Sequence, residues 1–142
     1  LGKALNNKEL HPSIDALFVF NSNPANTTPN QNLVLKGLER TDLLTIVSEH
    51  FMTDTARYAD YIFPATTVLE NWDILDSWGT TYLNINEPAI EPLGESKPNS
   101  ELFRLLARGM GFNEPHFQES DIDMVKKTLK SDHERHHFYV SA

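Results

Sequence analysis

The sequence predicts an α/β fold: an open, mainly parallel sheet in three layers, with helices on both faces and an irregular excursion over about 65–98. Three observations predict it. Apolar runs at 14–20, 43–47 and 61–63 each stop abruptly at polar residues or proline. Runs that short and that continuously apolar suit strands covered on both faces. Helical patterns lie between them, and strand–helix–strand–helix–strand order in so short a span implies parallel pairing with right-handed crossovers. The arrangement is Rossmann-like.

Residues 1–13 are polar and end at His11-Pro12, so a loop or frayed lead is expected. The first strand runs into Asn21-Ser22-Asn23-Pro24-Ala25-Asn26-Thr27. Small polar groups at the carboxyl end of a buried parallel strand stand where open α/β sheets bind ligands. The loop holds no nucleophile with a base beside it, so its chemistry is gripping a polar ligand, a phosphate or a sugar. The bland reading is a plain turn, because Asn tolerates left-handed backbone angles. Pro29 suits the first turn of a helix, and Leu33, Val34, Leu35 and Leu38 give that helix an apolar side through about Glu39.

The second run exits at Ser48-Glu49-His50, which read alone is a solvated strand end. Thr53 suits the N-cap of a helix over 53–59. Thr53-Asp54-Thr55 reads as that capped start, with Asp54 favoured by the dipole, in preference to an anion site. Arg57 is expected to pair with Asp54 or Asp60.

Beyond Ala65 the texture changes. Trp72, Trp78 and Tyr82 alternate with Gly, Asn, Asp and Thr, with a small strand over 81–85. They read as packing, or as a surface that meets another domain, in preference to base stacking. Pro88, Pro92 and Pro98 keep the next stretch extended. A helix over 99–108 is capped by Asn99 or Ser100 and stopped by Gly109 or Gly111; a last helix covers 119–130. Glu70, Asp73 and Asp76 read as solvent-facing acids, not a hard-metal site. His133, His136 and His137 read as a tail, not a zinc or nickel site. No catalytic residue and no metal ligand is assigned.

The totals set further bounds. A chain of 142 residues can bury one substantial core. The organisation expected is a polar leading segment 1–13, a single α/β domain 14–130 and a His-rich tail 131–142. A net charge of −8 argues against a nucleic-acid partner. The absence of cysteine excludes disulfides, thiolate zinc sites and cysteine-bound iron–sulfur clusters within these residues. No apolar run reaches the length of a membrane span, so no membrane partner is expected. The first residues lack a signal-peptide core and an initiator Met, so a cytoplasmic piece of a longer protein is expected.

Four strings then carry a resemblance. They are Asn23-Pro24-Ala25-Asn26-Thr27; Phe51-Met52-Thr53-Asp54-Thr55-Ala56; Ala59-Asp60-Tyr61-Ile62-Phe63-Pro64-Ala65-Thr66-Thr67 with Leu69-Glu70; and Glu101-Leu102-Phe103-Arg104-Leu105-Leu106-Ala107 with Met110-Gly111. In this order and spacing they resemble the molybdopterin oxidoreductases, the group of formate dehydrogenases, dimethyl sulfoxide reductases and periplasmic nitrate reductases. The likeness covers roughly residues 14–125.

The resemblance implies a large enzyme of several domains, with molybdenum or tungsten held by two pterin–guanine dinucleotides (bis-MGD). This chain resembles the middle α/β unit that grips the guanosine diphosphate end of one of them. The family's iron–sulfur cysteines, the segment bearing the metal ligand and the C-terminal pterin-binding domain have no counterpart here. The implied cofactor is therefore molybdopterin guanine dinucleotide with Mo or W in the full-length enzyme. The isolated fragment is expected to carry none and to be inactive. The implied partners are the remaining domains of the parent enzyme, with self-association through exposed interdomain surface.

Carried over by motif, the implied cofactor-binding residues are Asn23, Pro24, Thr27, Ser48, Glu49, Pro64, Ala65 and Asn99. Asn23 stands where relatives often have an acid; its carbonyl can accept and its amide donate. Thr27 would bond phosphate or ribose, and Ser48 with Glu49 would meet ribose or guanine. Pro64 and Ala65 would line the pocket. Asn99 replaces an acid that reads guanine, a departure from the family pattern. The alternative is a non-catalytic nucleotide-binding or interaction module that keeps only the scaffold.

Overall fold

The computed structural model describes residues 1–76, 78–79 and 82–136. The chain forms two compact units, Leu1–Ala65 and Thr66–Ala142.

The first unit holds an α/β sheet of three strands, β1 (Ala16–Phe20), β2 (Leu44–Glu49) and β3 (Tyr61–Pro64), in the order β1-β2-β3. Both pairings are parallel. Phe20 stands opposite Ser48, Ser48 opposite Phe63, and Glu49 opposite Pro64. All three strands therefore deliver their carboxyl ends to one edge. The second strand runs past its apolar run, because Ser48 pairs with β1 and β3 and Glu49 pairs with β3.

Two helices fill the first crossover, where the sequence suggests one. Pro24 opens α2 (Pro24–Thr27), and Pro29 lies outside any helix. Asn30, in the left-handed region at φ 60°, turns the chain into α3 (Gln31–Leu38). The second crossover is a single 3₁₀ turn, Ala56–Tyr58, not the longer helix expected over 53–59. Its N-cap is Thr55, not Thr53 as expected, although Thr53 Oγ1 accepts the Ala56 N–H at 3.2 Å. Asp60 gives Oδ2 to the Thr45 N–H at 2.7 Å, and Arg57 forms no ion pair among the described residues.

The leading segment is ordered where a frayed loop was expected. Gly2–Leu5 forms α1, which packs on α3. Close approach explains it: a Cβ on Gly37 would stand 2.6 Å from the Leu5 Cβ, so only glycine admits Leu5 there. Asn6 adds amide bonds to the Gly2 and Leu33 carbonyls, at 2.7 and 2.8 Å.

Burial follows strand alternation. Leu17, Val19 and Val47 face Ala56 and Ala59, and Leu17 also meets Ala25, Val34 and Leu38. These residues form the core of the unit. The opposite sheet face carries Phe18, Phe20, Leu44, Ile46 and Tyr61, of which Phe20, Leu44 and Tyr61 are exposed.

The second unit pairs β4 (Asp73–Asp76) antiparallel with β5 (Leu83–Asn86). The expected strand over 81–85 is thus shifted toward Asn86; Thr81 lies outside the described residues. Glu70 is buried, not solvent-facing as read from the sequence. Its carboxylate accepts the Thr67 N–H and hydroxyl at 2.7 and 2.8 Å and the Leu93 N–H at 2.7 Å.

Helix α4 (Asn99–Gly109) has Pro98, not Asn99 or Ser100, at its N-cap, with no side-chain cap. Pro98, at φ −56° and ψ 145°, already sets the extended entry a cap requires. Arg104 donates to Glu101 at 3.0 Å, Asp121 at 2.8 Å and the Glu119 carbonyl at 3.1 Å, tying α4 to the start of α5 (Asp121–His136). The bonds to Asp121, foremost, and to Glu101 raise its guanidinium pKa. The last helix extends through His133 and His136, beyond the expected stop at Lys130; His137 lies outside the described residues. Among the described residues no helix is long and apolar enough to cross a membrane.

Candidate functional site

The carboxyl edge of the sheet brings together two loops. One leaves β1, turns at Asn21 in the left-handed region (φ 51°), and enters α2. The other leaves β2 at Glu49 and reaches the 3₁₀ turn at Ala56. Thr55 joins them. Its hydroxyl donates to Asn23 Oδ1 at 2.7 Å and accepts the Ala25 N–H at 3.0 Å. Its own N–H donates to the same Asn23 oxygen at 3.2 Å.

The first loop is also tied within itself. The Asn23 carbonyl accepts the Asn26 and Thr27 N–H groups at 3.0 and 2.9 Å, and the Thr27 hydroxyl at 2.9 Å. Gln31 Nε2 holds the Ala25 carbonyl at 2.8 Å. One consequence concerns anions. A helix start normally offers unpaired N–H groups to a phosphate. Here Pro24 has none, and those of Ala25, Asn26 and Thr27 are already bonded. This helix start is closed to phosphate.

What the edge does offer is a carboxylate and neutral groups. Glu49 is mostly enclosed, with 14% of its side chain exposed, and one oxygen, Oε1, accepts the His50 N–H at 2.8 Å. The His50 Nδ1 lies 3.8 Å from the same oxygen. Glu49 Oε2 and Asn23 Nδ2 have no partner among the described residues. An acceptor and an amide donor of that kind suit ribose hydroxyls and the N–H and carbonyl groups of a base.

Seven of the eight residues singled out in the sequence stand at this edge. Asn23, Pro24 and Thr27 lie in the first loop, with Pro24 buried and Thr27 exposed. Ser48 is enclosed within β2. Glu49 ends that strand, Pro64 pairs with it, and the Ala65 N–H donates to the Glu49 carbonyl at 3.2 Å. Asn99 belongs to the second unit, as the half-buried first residue of α4. The sequence pattern passes over Thr55. It gives Thr55 only a place in a helix start, because nothing local indicates a hydroxyl that reaches back to Asn23.

The sequence profile of the family described as molybdopterin oxidoreductase matches residues 2–108. This chain belongs to that family. Its relatives include "Probable oxidoreductase YoaE" of Bacillus subtilis, 43% identical over 91% of this chain and 19% of the relative. The acetylene hydratase of Syntrophotalea acetylenica is 37% identical over 76% of this chain and 15% of that protein. Among solved structures, acetylene hydratase from Pelobacter acetylenicus superposes with a TM-score of 0.67 at 33% identity, over 78% of this chain and 15% of that one. The chain therefore spans less than a fifth of the length of these molybdopterin-family relatives.

Proposed function

We propose that this chain holds the guanosine end of a molybdopterin guanine dinucleotide, as one part of a larger molybdopterin enzyme. The observation that carries the reading is Glu49. It is a mostly enclosed carboxylate at the shared carboxyl edge of three parallel strands, with one oxygen unpartnered among the described residues. That edge is where ligands sit in open α/β sheets, and two lone-pair sites on one oxygen match a ribose diol or paired guanine N–H groups. The residues present fit the nucleoside better than the diphosphate, since the N–H groups that open α2 are already bonded.

When bound, the metal–pterin group supplies the two-electron or oxygen-atom chemistry of the full-length protein. The residues of this chain bind and orient: Glu49 accepts, the Asn23 amide donates, Thr27 keeps a lone pair for a hydroxyl, and Pro64 and Ala65 line the edge. Isothermal titration of the 142-residue chain with GDP and ADP tests this. GDP should bind saturably and more tightly than ADP, and Glu49→Gln should weaken GDP about tenfold through loss of a charge-assisted bond. Equal affinity for ADP would favour a generic nucleotide module on the same scaffold. An unchanged GDP affinity in Glu49→Gln would remove Glu49 from the site.

A further inference from the structure

We infer that Thr55 is a positioning residue, whose buried hydroxyl locks the loop after β1 to the loop after β2 so that both meet a nucleotide as one piece. The inference rests on the nucleotide reading above. Thr55 is fully buried, so it cannot touch a ligand at this edge. Its hydroxyl has one hydrogen and two lone pairs. The hydrogen goes to Asn23 Oδ1 at 2.7 Å and one lone pair takes the Ala25 N–H at 3.0 Å. Both bonds span at least 30 residues of sequence, so they hold two loops together and do not merely shape one.

The clasp also decides which way Asn23 presents its amide. The Thr55 backbone N–H can only donate, and it donates to Asn23 at 3.2 Å. The oxygen of the Asn23 side chain must therefore lie toward Thr55, and its NH₂ is left for a ligand acceptor. Loss of the Thr55 hydroxyl would leave Asn23 Oδ1 held by the longer Thr55 N–H bond alone and would leave the Ala25 N–H without its partner. Either change disorders the donor that the first loop presents. Thr27 follows, because its hydroxyl and N–H both close on the Asn23 carbonyl.

The test titrates GDP into the wild-type chain and into Thr55→Val, Thr55→Ser and Asn6→Ala, at a temperature where each remains folded by circular dichroism. Valine keeps the shape and removes the hydroxyl; serine restores it. Asn6→Ala breaks the amide bonds between α1 and α3 and serves as a destabilised control away from the clasp. Thr55→Val should weaken GDP about tenfold, Thr55→Ser should recover to within about threefold of wild type, and Asn6→Ala should match wild type.

A second readout needs no variant: saturating GDP should slow amide exchange at Ala25 and Thr55 in the wild-type chain. GDP binding of equal strength in wild type and Thr55→Val overturns the inference alone. So does equal weakening in Thr55→Val and Asn6→Ala, which would mark a merely structural clasp. If Thr55→Val fails to fold, unchanged exchange at Ala25 and Thr55 on GDP binding overturns it. Absence of GDP binding by the wild-type chain overturns the nucleotide reading, and the role of Thr55 falls with it.

Discussion

Thr45 and Thr55 are both buried, at 1% and 0% exposure, yet their hydroxyls meet opposite fates. Thr45 sits inside β2, where its N–H donates to Asp60 Oδ2 at 2.7 Å and its carbonyl accepts the Asp60 N–H at 2.8 Å. The main chain is satisfied, and the hydroxyl has no hydrogen-bond partner among the described residues. Thr55 sits in the loop after that strand, where irregular backbone leaves groups to be paired, and its hydroxyl pairs two of them. Around Thr45 the backbone groups are already paired, so its hydroxyl is left unsatisfied. A loop at the sheet edge has donors to spare, and there the same side chain becomes the joint.

The second unit shows the loop case with a charge, and it carries the largest expected effect. Glu70 accepts three hydrogen bonds from Thr67 and Leu93 while buried. Glu70→Ala leaves those donors unpaired and should cost about 3–4 kcal/mol, whereas Glu70→Gln keeps one acceptor oxygen and should cost about half as much. Amide exchange at Thr67 and Leu93 reads the loss locally. Near-wild-type protection in Glu70→Ala would show that other contacts hold this turn.

Thr55→Val comes next, at about 2 kcal/mol of destabilisation in urea. It orphans the Ala25 N–H and leaves Asn23 Oδ1 with only the Thr55 N–H. A stability equal to wild type would mean that the loops re-pair or admit water when the hydroxyl is gone.

These two residues also mark where the sequence stopped being legible. The parallel sheet could be read because apolar runs and their polar exits are local signals, and so could the edge that gathers Asn23, Glu49 and Pro64. The role of Thr55 could not, since it depends on a partner 32 residues away. Burial of Glu70 was hidden because an isolated acid is ordinarily exposed, and only the fold brings Leu93 to it. Helix α1 was missed for a similar reason: four residues carry too little pattern, and the decisive feature is the missing Cβ of Gly37 against Leu5. The start of the first crossover helix was misplaced because Pro24 and Pro29 both suit a first turn, and Asn30 decides between them by its left-handed backbone.

Thr45→Val should reverse the sign. Valine has nearly the same shape, suits a strand, and removes a hydroxyl that has no partner among the described residues. Stability should rise by about 1 kcal/mol. The urea midpoint should move up while GDP affinity stays at the wild-type value. A lower midpoint would mean that the hydroxyl has a partner, such as an enclosed water, and the contrast between strand and loop would fail.

The smallest effect belongs to an exposed pair in the first unit. Arg40 holds Asp42 through two bonds, at 3.0 and 2.9 Å, and gives a third, at 2.8 Å, to the Leu5 carbonyl. The Arg40 hydrogen bond is the main reason the Asp42 carboxyl lies below its usual value. A carboxyl lowered by folding contributes stability above its unfolded pKa and loses it as pH falls through the folded value. Asp42 is nevertheless 74% exposed, and salt screens such a pair. Asp42→Asn should therefore leave the urea midpoint unchanged at neutral pH and about 0.15 M salt. At low salt a small deficit should appear at neutral pH and vanish in acid, where the wild-type carboxyl is protonated too. A deficit that survives both salt and acid would mean that Asp42 acts by aligning Arg40 on the Leu5 carbonyl, and through it by seating α1.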